Sequence, residues 1–266
     1  MLNLIAPNNF NKKLTELRAM LIGEAKLLNE PGYDPKDSDG FAIAEGKLEA
    51  VVQTVFRKAQ TEHTYSNFYC KLCEQIIRIE LGAKGKKAVQ GNLKLCEFRV
   101  KLLDRCKTCF EDFFSLADPK AEAEAAGKEI DAEEIKERTL KRKEKLFGNI
   151  EFVGELHKAG LLSDSITKSI FKTLLDVAKF SDDTIEAGMR FLEKVGPSIE
   201  KKIKEIAEKD AKKSKDGTEK KTQKISKEDY DEILDSFEKI MAMTEAPEGG
   251  KHCPSNRIKL MIKNTL

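Results

Sequence analysis

The chain has 266 residues, 48 of them basic and 46 acidic, for a formal net charge of +2. That near balance excludes a bulk polycation, so nucleic acid could be held only by local patches. No apolar run approaches the roughly 18 residues a membrane-spanning helix needs, and MLNLIAPNNF lacks the basic and apolar regions of a signal peptide.

Aromatics make up 7% of the chain and Trp is absent, while Lys, Glu, Leu and Ala abound, a mix that favours helix. The first helix is predicted over about Pro7 to Leu28, with Leu14, Leu17, Leu21 and Leu28 on one face. NEPGYDPKDSDG (29–40) is dense in turn formers. Helices follow over about Phe41 to Gln60 and Tyr65 to Leu81, then a basic loop, GAKGKKAVQGN (82–92). A fourth helix covers about Leu93 to Phe114, with Phe98, Leu102, Cys106 and Phe110 on its apolar side.

Residues 118–137 hold eight acids against three bases, and 138–145 five bases against one acid. This stretch reads as a charged connector, a solvated loop or exposed helix, feeding LFGNIEFVGELHKAGLL (146–162). The latter has helical periodicity yet carries Gly148 and Gly154, each costing about 1 kcal/mol in a helix interior. Six residues put them about 240° apart, on different faces. An inner helix approached closely from two sides would explain both.

Ser163 and Ser181, each followed by Asp, are predicted N-caps of the next two helices. Lys201 to Lys224 contains ten lysines against five acids, and its apolar-poor middle, KKSKDGTEKKTQ, is expected to be mobile. SKEDYDEILDSFEKIMAM and SNRIKLMIKNTL supply the last two helices, the latter with Ile258, Met261, Ile262 and Leu266 on one side.

About nine to ten helices in pairs, with units of roughly 40–50 residues, predict an all-α fold. The expected architecture is an α-solenoid of HEAT-type antiparallel helix pairs, crescent-shaped, forming one domain over 1–266. Segments 115–140 and 205–226 read as charged insertions. The apolar stripe ending at Leu266 suggests a fragment of a longer protein.

Candidate chemistry is thin. Cys70/Cys73 and Cys106/Cys109 form two C-x-x-C pairs, but 32 residues separate them, more than a zinc ribbon uses. They read as small residues packing between helices, and the thiols as reduced and intracellular. His63, His157 and His252 sit in no metal or nucleophile motif, and His157 reads as a packing or partner residue. No cofactor, metal site or catalytic constellation is expected, so the chain reads as a binding protein rather than an enzyme. Basic clusters at Lys84, Lys86 and Lys87, at Lys141, Arg142 and Lys143, and at Lys201 and Lys202 are the candidate RNA contacts. Aromatics near them are sparse in sequence, so little base stacking is expected.

Five segments, in order, resemble one family: the middle domain of eukaryotic translation initiation factor 4 gamma. LNLIAPNNF resembles its L-N-K-L-T-P-x-x-F start. LEAVVQTVFRKAQTEHTYSNFYCKLC (48–73) is similar to V-I-x-x-I-F-x-K-A-x-x-E-P-x-[FW]-S-x-x-Y-A-x-[ML]-C. FRVKLLDRCKTCFE (98–111) resembles F-R-K-L-L-L-N-R-C-Q-x-E-F-E. KRKEKLFGNIEFVGELHKAGLL looks like R-R-x-L-G-N-I-x-F-I-G-E-L-F-K-x-x-[ML]-L-T, and SNRIKLMI (255–262) like S-S-R-I-[RK]-F-x-[LI].

The resemblance implies a crescent of HEAT hairpins, five in the full domain, with this chain ending one helix early. It implies a cytoplasmic, monomeric translation initiation scaffold with no membrane contact. Its implied partners are the DEAD-box RNA helicase initiation factor 4A, mRNA and, in some members, other initiation factors. Matched positions assign the helicase contact to Phe98, Arg99, Arg105, Phe110, Asn149, Glu155, Arg257 and Lys259. Leu102, Phe152 and Gly154 also match. Asp104 stands where the family usually has Asn, His157 replaces Phe, and Ala159-Gly160 replaces a bulkier pair. Same-fold adaptors of nuclear cap binding, splicing or mRNA decay, or an RNA-binding solenoid without a helicase, are the alternatives.

Overall fold

The computed structural model describes residues 7–21, 46–83, 96–115, 131–176, 180–212, 225–243 and 253–266. Among these residues the fold is all-α, with nine α-helices and no strand. The chain divides into two compact units, Met1–Phe152 and Val153–Leu266.

Unit 1 opens with a 3-10 turn at Pro7–Asn9, so Pro7 begins a tight turn that leads into α1, Phe10–Leu21. The expected continuation to Leu28 lies outside the described residues. α2 is Lys47–Thr61, α3 Ser66–Ala83 and α4 Glu97–Ser115. α2 packs on both α3 and α4, and α3 also packs on α1. Leu48, Val51, Val52, Val55, Phe56 and Ala59 recur at helical spacing on α2 and are all buried, which is why this helix sits between two others.

Glu80, on α3, caps α4. Its carboxylate accepts the N–H groups of Glu97 at 2.6 Å and Phe98 at 2.9 Å, and the Cys96 thiol at 3.0 Å. These are donors of the first turn that no intrahelical carbonyl reaches. A buried carboxyl group is tolerable here because several donors replace its water.

α5, Ala132–Lys158, is a 27-residue helix, and the boundary between the units falls within it. Of the segment expected as a connector, 132–140 is therefore helix; the part of it before residue 131 lies outside the described residues. The exposed first turns carry Arg138–Glu134 and Lys141–Glu137 pairs, each at 2.6 Å and four residues apart. From Leu146 onward the helix is largely buried.

Both glycines of α5 are explained by close approach. A Cβ on Gly148 would stand 2.0 Å from the Gln60 carbonyl oxygen of α2, inside unit 1. Gln60 also donates to the Lys145 carbonyl at 3.2 Å, fixing the crossing. α5 ends at Gly160, whose φ of 71° suits glycine. The Leu161 N–H reaches the Leu156 carbonyl at 2.9 Å, and the Gly160 N–H that of His157 at 2.9 Å, closing a Schellman motif. The small residue where the family carries a bulkier one thus has a helix-stop role.

In unit 2 the helices are α6 Asp164–Leu174, α7 Asp182–Lys212, α8 Lys227–Ala242 and α9 Asn256–Thr265. A Cβ on Gly154 would stand 2.8 Å from the Lys194 side chain of α7. α6 packs on α7, and α9 on both α7 and α8. Tyr230 lies beside Gly196 and Phe237 beside Gly188, so α8 runs antiparallel to α7. Of the two predicted serine caps, Ser181 accepts the Thr184 N–H at 3.3 Å. Ser163 does not cap α6 by its side chain; its hydroxyl meets Ser165 at 3.0 Å instead. α8 begins with a capping box between Ser226 and Asp229. The segment expected as an insertion at 205–226 is helix through 212 and lies mostly outside the described residues beyond it.

Candidate partner-binding site

The residues assigned to a helicase contact divide sharply by exposure. Phe98 and Asn149 are fully buried and Phe110 nearly so. Asn149 donates to the Cys106 carbonyl at 3.1 Å, tying α5 to α4. None of the three offers surface to a partner in this structure, so what they visibly do is pack the fold. Glu155 is also buried, clamped by Lys194 at 3.1 Å and Lys158 at 3.2 Å within unit 2. Lys259 is turned to the Met243 carbonyl, joining α9 to the end of α8.

The surface candidates in unit 1 lie on α4. Arg105 is exposed, next to Asp104 and one turn from Lys101, and Val100 of the same helix is exposed as well. Lys101 pairs with Glu49 of α2 at 3.4 Å. Arg99 is half-buried, and that burial pulls its guanidinium below its ordinary value.

The surface candidate in unit 2 is Arg257, at the first turn of α9. Its guanidinium meets Glu186 at 2.8 Å while its side chain stays 56% exposed. Glu186 is buried, and its other oxygen takes Arg190 at 2.9 Å. One carboxylate of α7 thus orients two arginines from different helices. The Glu186 hydrogen bond pushes the Arg257 guanidinium up, with the Asp182 and Asp183 charges adding to it. Sequence reasoning found Arg257 but not Glu186. The Glu186/Arg190 spacing on one helix was a visible signal; the partner 71 positions away was not.

The expected RNA contacts also divide. Lys84, Lys86 and Lys87 lie outside the described residues. Lys141 pairs with Glu137, and Lys202 with Asp164 at 2.9 Å. Arg142 lies 4.5 Å over the Phe113 ring and Lys143 5.2 Å over Phe147. Each of these two rings is thus covered by a cation of the same cluster. Lys201 is exposed on α7.

His157 is buried, with Nδ1 2.9 Å from the Thr167 hydroxyl. The Thr167 hydroxyl also lies 3.3 Å from the Ser163 carbonyl. Burial, reinforced by the Lys202 charge, lowers the imidazole to about 4. This is a neutral packing residue. Cys73 and Cys106 are buried with their thiols pushed up by desolvation, and Cys109 accepts from Gln60 at 3.0 Å. Among the described residues no three His, Cys, Asp or Glu side chains group as metal ligands.

The chain is 25% identical over 207 residues to mouse eukaryotic translation initiation factor 4 gamma 3, covering 75% of this chain and 11% of that protein. It is 32% identical over 180 residues to eukaryotic translation initiation factor 4 gamma of Schizosaccharomyces pombe, covering 62% and 12%. The chain thus spans about a tenth of the length of these curated relatives. The crystal structure of the MIF4G domain of Trypanosoma cruzi translation initiation factor EIF4G5 aligns with a TM-score of 0.46 at 19% identity, covering 99% of this chain and 89% of that one. The MIF4G domain pattern matches residues 2–266, so the chain belongs to the MIF4G domain family.

Proposed function

We propose that this chain is the scaffold domain of a translation initiation factor and binds a DEAD-box RNA helicase of the initiation factor 4A type. The observation that carries the reading is Arg257. It lies in a segment resembling the family's S-R-I motif, on a helix, more than half exposed, with a buried carboxylate fixing its direction. A guanidinium held this way presents its remaining N–H groups to a partner carboxylate with little ordering cost. Arg105 offers a second exposed cation, on α4 of unit 1. The names of the mouse and Schizosaccharomyces pombe relatives, both reading eukaryotic translation initiation factor 4 gamma, supply the biological setting.

The domain performs no bond chemistry in this reading. It works by binding one lobe arrangement of the helicase better than another, and shifts that equilibrium by its differential affinity. RNA contact belongs to the same reading, through Lys141, Lys143, Lys201 and Lys202 in the cytoplasm. The Lys141–Glu137 and Lys202–Asp164 pairs would open so that phosphate replaces carboxylate, which makes the affinity salt-dependent.

The test is the ATPase rate of a purified initiation factor 4A-type helicase with and without the domain. Stimulation that falls at least tenfold in Arg257→Ala supports the reading. An unchanged rate and no measurable helicase affinity with the wild-type domain would overturn it, leaving an RNA-binding or adaptor role in its place.

A further inference from the structure

Unit 2 carries a groove that the helicase reading does not use. It lies between α6 and α8 and encloses about 600 Å³, within the usual range for ligand-holding clefts. Its floor is apolar, from Phe171, Leu175 and Ile233. Its α8 wall is acidic, and its α6 wall is basic except for Asp176 at the helix end. Lys168 and Lys172 stand one turn apart on α6; Asp229 and Glu232 stand one turn apart on α8, with Asp176 just past the end of α6.

Lys168 and Asp229 close on each other as an ion pair across one end. Asp229 is held down in pKa first by Lys168, so this end is already neutralised. Lys172 and Glu232 are both exposed and have no ion-pair partner among the described residues. The open end therefore presents a cation on one wall, an anion on the other and hydrocarbon between them.

We propose that this groove is a docking site for an amphipathic peptide segment of a protein partner. The segment inserts one apolar side chain toward Leu175 and Ile233. It sets a carboxylate against Lys172 and a cation against Glu232. Charge complementarity selects this occupant: a uniformly acidic or basic ligand, including RNA, would gain one wall and be repelled by the other. The proposal is independent of the helicase contact.

The test is selection from a displayed library of helical peptides, Ala/Gln-based, with Leu, Ile or Phe at the centre and Glu or Lys at the flanking positions. The wild-type domain should enrich one charge polarity at least tenfold. A Lys172→Glu/Glu232→Lys double variant should enrich the opposite polarity with similar strength, both positions being exposed. Helicase stimulation, measured in parallel, should be the same for both proteins. Failure to enrich either polarity, or enrichment of identical peptides by both proteins, overturns the proposal. So does a concentration-dependent dimer that the double variant abolishes, since a second copy would then fill the groove.

Discussion

The two units are tightened by different kinds of contact. In unit 1 the close approach at a helical glycine is backbone against backbone, Gly148 of α5 on the Gln60 carbonyl of α2. In unit 2 it is backbone against a side chain, Gly154 beside the stem of Lys194, whose ammonium is held by Glu155. Around it, unit 2 packs titratable groups: His157 on Thr167, Asp164 with Lys202, Glu186 with two arginines. A backbone cannot move without moving a helix, whereas a lysine stem can change rotamer. The first contact is therefore intolerant; the second is adaptable.

The largest effect should come from Gly148→Ala. A methyl at 2.0 Å from a carbonyl oxygen forces α2 and α5 apart, costing more than about 3 kcal/mol. Chemical denaturation, or loss of soluble folded protein, is the readout. Glu80→Ala comes next, at about 2–3 kcal/mol, because it strands the buried first-turn donors of α4 without a partner. Gly154→Ala should cost only about 1 kcal/mol, and adding Lys194→Ala should recover part of it. A double-mutant cycle showing no coupling would mean the Lys194 stem is not the obstacle.

Acid should separate the units further. His157 has a folded value of about 4, below its ordinary 6.5. The unfolded chain therefore binds its proton first, and stability contributed by the neutral buried ring is lost as pH falls from 6.5 toward 4. The lowered carboxylates Glu62 and Asp229 also lose stability on acidification, but from their ordinary values near 4 downward. Denaturation curves between pH 6.5 and 5 thus isolate His157, and His157→Phe should flatten them. The smallest stability effect should be Arg257→Ala, below about 0.5 kcal/mol, because the pair is solvent-screened and Arg190 remains on Glu186. Helicase stimulation, by contrast, should drop tenfold or more.

Much of the fold was legible in the chain. The spacing of Leu48, Val52, Val55 and Phe56 announced α2, and that of Ile258 and Ile262 announced α9, because a 3.6-residue period is local information. The two α5 glycines were readable as close approaches on two faces, since only sterics favour Gly there. The site was less legible. Phe98, Phe110 and Asn149 matched the family motif as strongly as Arg257 did. A motif does not distinguish a residue kept for packing from one kept for a partner.

The sequence by itself determined the helical class, the order of the elements, the family and the need for close approach at two glycines, through period, turn chemistry and sterics; which groups approach them it did not determine. Only the tertiary structure decided which matched side chains reach solvent. It also decided that Glu80 caps a helix 17 positions on, and that Glu186 aims an arginine 71 positions away. Burial and electrostatic pairing depend on which helices meet, and no local pattern along the chain encodes those long-range distances.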